Sequence, residues 1–388
     1  LAQFNITKYL NPKGGENVVA VEVYRYSDGS FLEAQDMFRL PGIIRSTYLT
    51  STPQVQIQDM SIHTIIGRKA NPVGTVDEAT VNVDVNIRNL SKKALKGATV
   101  KYEVFPVELY SDQTGGKVAE AVTKVIGDVA PGAVVNRQLS FSIPDARLWS
   151  AETPNRYVLV AQLLDKKGKV IETVSSYFGV REVEIRDTPA NEDEFGLAGR
   201  YFYVNNRPVK LKGVNRHENN LSTGHTISRE QMEQEAMIMK RGNINHVRNC
   251  HYNDDPYWYI VCDKYGIYLE DEANIESHEY YYGKESLSHP KEWRDAHVAR
   301  NVEMVRAHMN HPSIVIWSLG NEAGPGNNFV EAYKAIKAND TTRPVQYERN
   351  NDIVDMGSNQ YPSIPWVRSA VKGQMGIKYP FHISEYAH

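Results

Sequence analysis

Two changes of pattern within 388 residues predict a multidomain protein: a β-sandwich followed by a truncated barrel of alternating strands and helices. Residues 53–182 repeat a period-two alternation of Val and Ile with polar residues, as half-buried strands require, and several such runs predict a sandwich of immunoglobulin type. From about residue 183 short apolar runs alternate with amphipathic stretches. That order predicts a parallel sheet, and seven such runs predict a (β/α)8 TIM barrel that stops after its seventh strand.

The opening stretch, 1–52, carries strand-like alternation in "NVVAVEVYRYSDGSFLEAQDMFRL", broken at Asp28-Gly29 as a hairpin would be. It is too short to hold a core, so it is expected to pack on another unit or to be the tail of a larger β-domain. In 53–182, "ATVNVDVNIRNLS", "GATVKYEVF", "AVVNRQLSFSI", "RYVLVAQLLD" and "KVIETVSSYFGV" are the strand candidates, separated by Gly, Pro and Asp. No cysteine pair joins them, so the immunoglobulin likeness is architectural. Over 183–388 the strands are "VKLKGV" (209–214), "INHVRN" (244–249), "IYLED" (267–271), "IVIWSL" (314–319), "PVQYE" (344–348), "VDMGS" (354–358) and "FHISE" (381–385). Helices are predicted in "SREQMEQEAMIMKRG", which stops at Gly242, and "EWRDAHVARNVEMVRAHMN", which stops before His311-Pro312. With no Met at Leu1 and one strand short of eight, the chain reads as part of a longer protein.

Composition narrows the function classes. The chain is 41% hydrophobic and 23% charged with a net charge of -3, and no basic run points to nucleic acid. No apolar run of about 18 residues exists, so no membrane span is expected. Cys250 and Cys262 have neither disulfide-framework nor CxxC spacing. The 23 tyrosines fit a β-rich core and surface before they fit sugar stacking. No signal peptide is visible, and the expected compartment is the cytoplasm, with the periplasm as the alternative.

Polar residues at the C-terminal ends of barrel strands converge on one face, where a catalytic site would lie. The first strand leads to Asn215, Arg216, His217 and Glu218, and the second to Arg248, Asn249 and His251. The third enters "DEANIESH", the fourth Asn321 and Glu322, the sixth runs towards Tyr361, and the seventh ends in Glu385 and His388. One such residue reads as a solvated loop group; six strand ends together do not. Glycoside cleavage needs two carboxyl groups facing each other, one protonated and one ionised, and Glu322 and Glu385 stand on different sides of the expected barrel. Glu276 and His278, two apart in an extended stretch, point the same way and with Glu322 would form an oxygen-rich set suited to Mg²⁺. His246, inside the second strand, reads as structural.

The segments "SDGSFLEAQDMFR", "LWSAETPNRY", "GVREVEI", "KGVNRHE", "DKYGIYLEDEANIESH", "NHPSIVIWSLGNEAG", "RPVQYE" and "SEYAH" resemble glycoside hydrolase family 2, in particular its large bacterial β-galactosidases, in the family's order. The resemblance implies the C-terminal part of a jelly-roll sugar-binding domain over 1–52, an immunoglobulin-like sandwich over 53–182 and a catalytic barrel over 183–388. It implies that Glu322 is the general acid/base, Glu385 the nucleophile, and Asn321 a donor to the sugar 2-hydroxyl. Glu276, His278 and Glu322 match the family's Mg²⁺ ligands. His217, His251 and His388 match sugar-pocket histidines, Arg248 a buried partner of the nucleophile, and Tyr361 a phenol close to it. Asp36 matches an aspartate that reaches the pocket from the first domain and binds Na⁺. The implied substrate is a terminal β-galactoside, with β-glucuronidase, β-mannosidase or a non-catalytic sugar-binding protein as alternatives. The intact protein is expected to be a homo-oligomer, and the 388-residue stretch alone is expected to turn over little. Glu279 and Tyr280–Tyr282 depart from the family's loop after His278.

Overall fold

The computed structural model describes residues 3–11, 14–67, 74–124, 127–193, 196, 198–278 and 283–387. The sandwich pairs two antiparallel sheets. One holds β1 (Val55–Ile65), β2 (Thr75–Asn89) and β5 (Val134–Arg147), in that order; the other runs β4 (Ala119–Lys124), β3 (Thr99–Pro106), β6 (Tyr157–Leu164) and β7 (Val170–Phe178). The alternation read in "ATVNVDVNIRNLS" is the burial pattern of β2: Val81, Val83, Val85 and Ile87 point inward. They meet Val100, Tyr102 and Val104 of β3 and Leu159, Ala161 and Leu163 of β6 in one core. Each fully buried Val or Leu there stabilises the sandwich by about 1.5–3 kcal/mol over its exposed state.

A small antiparallel sheet of β8 (Val183–Thr188), β9 (Gly199–Val204) and β10 (Arg207–Pro208) leads into the barrel. Five parallel strands follow in sequential order: β11 (Gly213–Arg216), β12 (His246–Asn249), β13 (Tyr268–Glu272), β14 (Ile314–Ser318) and β15 (Val345–Gln346). β16 (Gly357–Gln360) and β17 (Phe381–Glu385) pair in parallel as a separate ladder. Among the described residues no ladder joins β15 to β16, although the Asp355 amide donates to the Val345 carbonyl at 2.9 Å. All seven expected strand regions contain a strand, the first and sixth displaced towards their C-terminal ends.

Helices α1 (Arg229–Arg241), α2 (Pro256–Tyr265), α3 (Arg294–His308), α4 (Asn327–Asn339) and α5 (Ile364–Ala370) alternate with these strands. Local chemistry sets their ends. Ser228 caps α1 by accepting from the Gln231 amide, and Asp255 caps α2 ahead of Pro256. Gly266 ends α2 in the left-handed region at φ 75°, against the Ala151 carbonyl. The core beneath them contains Trp258, Tyr259, Leu269, Trp317, Phe329 and Tyr347.

The sandwich is tied to the barrel by polar groups. Arg181 donates to the carbonyls of Pro312 (2.8 Å) and Ile314 (2.6 Å), and the Trp149 indole donates to the Asp263 carbonyl (2.9 Å). Asn310 both accepts from the Ile62 amide (2.9 Å) and donates to the Met60 carbonyl (2.8 Å).

The opening stretch corrects the expectation. The alternating residues 17–26 form no strand, and Val18, Val19, Val21, Tyr24 and Tyr26 are exposed. Asp28-Gly29 opens a short 3-10 helix, Asp28–Phe31, in place of a hairpin. Alternation makes a strand only where a neighbour accepts its hydrogen bonds, and among the described residues 17–26 joins no ladder. The segment instead docks on the barrel at Leu32–Gln35. The Ala34 amide donates to the Glu276 carbonyl (2.9 Å) and the Glu276 amide to the Leu32 carbonyl (2.6 Å). Arg45 reaches Glu218 at 2.6 Å.

Candidate active site

The strand "IVIWSL" is buried at every position of β14 and delivers Leu319, Gly320, Asn321 and Glu322 to the barrel mouth. Gly320 has φ 151°, and a Cβ there would stand 2.7 Å from the Ile275 carbonyl, so the turn out of the strand needs glycine. Glu322 follows at φ 35° and Tyr361 stands at φ 48°, both in the left-handed region that side chains other than Gly and Asn avoid. Backbone strain of this kind persists where surrounding contacts hold it. At Glu322 the holding contact is a hydrogen bond from its own amide to Glu348 Oε1 at 2.8 Å.

Glu385, at the end of β17, is buried within a set of donors. Arg248 Nη1 donates to its Oε1 at 3.0 Å, Gln360 Nε2 donates to the same oxygen at 2.8 Å, and the Tyr361 hydroxyl donates to Oε2. Burial alone would raise this carboxyl; the Arg248 guanidinium and the Tyr361 hydroxyl outweigh it and hold Glu385 below its ordinary value. Arg248 is itself buried and bound at three points, to Glu272 (2.8 Å), Glu385 and Asn321 Oδ1 (2.9 Å). Gln360 likewise bridges Glu385 and Asn321 Oδ1, the latter at 3.0 Å. Asn321 completes the chain by donating to Glu276 Oε2 at 3.0 Å. The ends of β14 and β17 are thus joined through shared donors.

Glu276, His278 and Glu322 bring one ligand atom each to within 4.8 Å of one another. His278 Nδ1 is 3.5 Å from Glu276 and 3.3 Å from Glu322. Burial, with repulsion from Glu322 and Glu272, pushes the Glu276 carboxyl up to about 9. Two carboxylates and an imidazole on one small volume have the chemistry to hold a divalent cation, and an oxygen-rich set favours a hard one. Asp36 is exposed and belongs to neither group of potential ligands among the described residues.

His217 and His251 meet edge to face with ring centroids 5.3 Å apart. His251 Nδ1 lies 2.8 Å from Glu272 Oε1, and its Nε2 lies 3.7 Å from Glu385 Oε1. Burial lowers His217 to about 4 and His251 well below its ordinary value. His388, Glu279 and Tyr280–Tyr282 lie outside the described residues.

Several groups here went unread in the sequence. Glu272 anchors Arg248, His251 and, at 2.6 Å, the Ser318 hydroxyl. Its signal was its place in "DEANIESH" at a strand end. Glu348 ends "PVQYE" in the same manner. Arg349, 3.2 Å from Glu322, and Gln360 had no pattern to mark them. Below the mouth, Glu270 Oε2 lies 3.1 Å from the half-buried His382 and 3.9 Å from the buried His246, a polar set inside three apolar-looking strands. A cleft of about 1330 Å³ between the opening segment and the barrel is lined by Arg45, Tyr252 and Asn274 but by neither Glu322 nor Glu385, so it belongs to the joint.

A parallel barrel with paired carboxyl groups at its strand ends defines a class, and sequence comparison names it. Residues 195–388 match the TIM barrel domain of glycosyl hydrolases family 2, 64–181 match a second domain of that family, and 1–53 match its sugar binding domain. The chain belongs to glycosyl hydrolases family 2. It is 37% identical over 399 residues to a β-galactosidase of Priestia megaterium and 36% identical over 403 residues to one of Yersinia enterocolitica. Each alignment takes in 100% of this chain and 36% of the relative, so the chain spans about a third of their length. Among solved structures, a β-glucuronidase of Bifidobacterium dentium complexed with coumarin-3-O-glucuronide matches with TM-score 0.70 at 21% identity, over 86% of this chain and 54% of that one. β-Glucuronidase 3 of Bacteroides uniformis matches with TM-score 0.67 at 21% identity, over 90% and 41%. At such identity the likeness is one of fold.

Proposed function

We propose that the intact protein is a retaining β-galactosidase in which Glu385 is the nucleophile and Glu322 the general acid/base. The observation that carries this reading is the asymmetry of the two carboxyl groups. Glu385 is held ionised by Arg248, Gln360 and Tyr361, as a nucleophile must be. Glu322 sits on a strained backbone beside Asn321, at the open end of the barrel. In the first step Glu385 attacks the anomeric carbon while Glu322 gives its proton to the leaving oxygen. In the second, Glu322 takes a proton from the water that cleaves the glycosyl–enzyme bond. Asn321, oriented by Arg248 and Gln360 through its Oδ1, presents its amide group toward Glu276 and the sugar side. In this reading His217 and His251 would bind sugar hydroxyls.

Glu276, His278 and Glu322 would hold Mg²⁺, which when bound supplies positive charge beside the acid/base. Galactoside preference rests on the two relatives named above and on the "DEANIESH" and "QDMFR" stretches. The test is a panel of aryl β-galactoside, β-glucuronide and β-mannoside offered to the intact protein. Preferential turnover of the galactoside is expected; preference for another glycoside overturns the specificity, and no turnover of any overturns the enzyme reading.

A further inference from the structure

We propose that His217, Cys250 and His251 form a second metal site, for a borderline or soft divalent transition-metal ion of the Zn²⁺ type, in the wall of the barrel mouth. Each offers one ligand atom, and the three lie within 4.8 Å of one another. The set is two imidazoles and a thiol, the donor chemistry that selects such ions over Mg²⁺. It is therefore distinct in kind from Glu276, His278 and Glu322.

Three further observations point to a built site. His251 Nδ1 lies 2.8 Å from Glu272 Oε1, and in the tautomer that donates from Nδ1 to this carboxylate Nε2 keeps a lone pair for a metal. Glu272 is itself fixed by Ser318 and Arg248, so the ring has the carboxylate support common behind metal-bound histidines. His217 has a lesser version of the same support, with its Nδ1 at 3.4 Å from the Tyr252 hydroxyl. Cys250 is buried beside His251, where no disulfide partner competes for its sulfur. A fourth ligand is close at hand: Glu385 Oε1 lies 3.7 Å from His251 Nε2. Binding replaces the thiol S–H bond by a metal–sulfur bond, and the proton leaves to buffer.

An ion held there occupies the space next to Glu385 and would block it. That consequence rests on the proposed glycosidase reading; the site itself does not.

Cobalt(II) is the probe, because thiolate coordination produces a near-ultraviolet charge-transfer band that carboxylate and imidazole ligation lacks. Titration of the intact protein with Co²⁺ is expected to raise this band in the wild type and in Cys262→Ser, and to lose it in Cys250→Ser and Cys250→Ala. Zn²⁺ should displace it and Mg²⁺ should not. Absence of the band in the wild type, its persistence without Cys250, or its displacement by Mg²⁺ each overturns the site. In parallel, Zn²⁺ should inhibit galactoside turnover by the wild type at concentrations at least about tenfold lower than for Cys250→Ser. If the band behaves as expected but the protein has no glycosidase activity, the site stands and the enzymatic reading falls.

Discussion

At the scale of single residues, the two carboxyl groups are separable by what they touch, and so by what their loss should do. Glu322→Gln should cripple galactosides with poor leaving groups far more than activated aryl galactosides, since the former need the proton. Azide should restore turnover to Glu322→Gly and leave Glu385→Gln inactive. Equal losses on both substrate types in Glu322→Gln would remove its assigned role. Tyr361→Phe deletes one donor to Glu385. A hydrogen bond to a charged group is worth about 1.5–3 kcal/mol, so kcat should fall roughly 10- to 100-fold. An unchanged kcat with raised KM would place the phenol in binding alone. Part of this was legible in sequence: Asn321, Glu322 and Glu385 end apolar runs, where an amide and two carboxylates have no structural reason to be. Glu348 ends an apolar run in the same way, whereas Arg349 and Gln360 carry no such mark, because their contacts come from folding loops across the mouth. No periodicity records that.

At the scale of elements, strands were readable because burial on both sides demands unbroken apolar runs, as in "IVIWSL". The exceptions are instructive. β12, β13 and β17 each carry a polar residue turned inward, the buried His246 and Glu270 and the half-buried His382, and Glu270 Oε2 lies 3.9 Å from His246 and 3.1 Å from His382 inside the barrel. A one-dimensional pattern marks each as an interruption and cannot pair them. Turns into the site are equally specific. Gly320→Ala sets a Cβ 2.7 Å from the Ile275 carbonyl and should cost about 1–3 kcal/mol of stability and most of the activity. Thermal unfolding and kcat of the variant would check both, and a fully active, unshifted Gly320→Ala would contradict the need for glycine. Helix α3 carries a pH response. His297 is buried among its turns, with Nδ1 2.8 Å from the Trp293 carbonyl, and burial lowers it from 6.5 to about 4. The unfolded chain binds the proton that the folded one refuses between these values. Stability from this group is therefore complete above pH 6.5 and falls as pH drops towards 4, by at most about 3 kcal/mol. Denaturant melts of wild type and His297→Asn across that range should show a shallower acid slope in the variant; parallel slopes would exclude His297 as a contributor.

At the scale of the whole molecule, the parts work through their joints. The opening segment is the clearest case. Its alternation suggested strands, yet its visible work is done by Leu32–Gln35, whose backbone clamps the amide and carbonyl of Glu276 from outside the barrel. A carboxylate of the candidate metal set is thus held by a segment more than 240 residues earlier in sequence, a link no local reading contains. The sandwich bears on the barrel in the same fashion through Asn310, which sits between α3 and β14. Its side chain completes two backbone groups of β1, the Ile62 amide and the Met60 carbonyl, at a point where Ile62 is buried. Asn310→Ala removes both partners at once and leaves a donor and an acceptor of β1, at the buried Ile62 and the half-buried Met60, facing a gap. Each such group costs about 1–3 kcal/mol when unpaired, so the variant should lose roughly 2–4 kcal/mol if water enters the gap only in part. Asn310→Asp supplies a control, because it keeps the acceptor for Ile62 and loses the donor to Met60, and should fall between the two. β14 starts four residues further on and carries Glu322 at its far end, so loosening this joint should also lower kcat while leaving the groups at the mouth chemically intact. Calorimetry of the intact protein, paired with kinetics on an activated galactoside, would read the two effects together. Loss of stability with full activity would confine Asn310 to the joint, and no loss of either would show that the sandwich and barrel are held elsewhere.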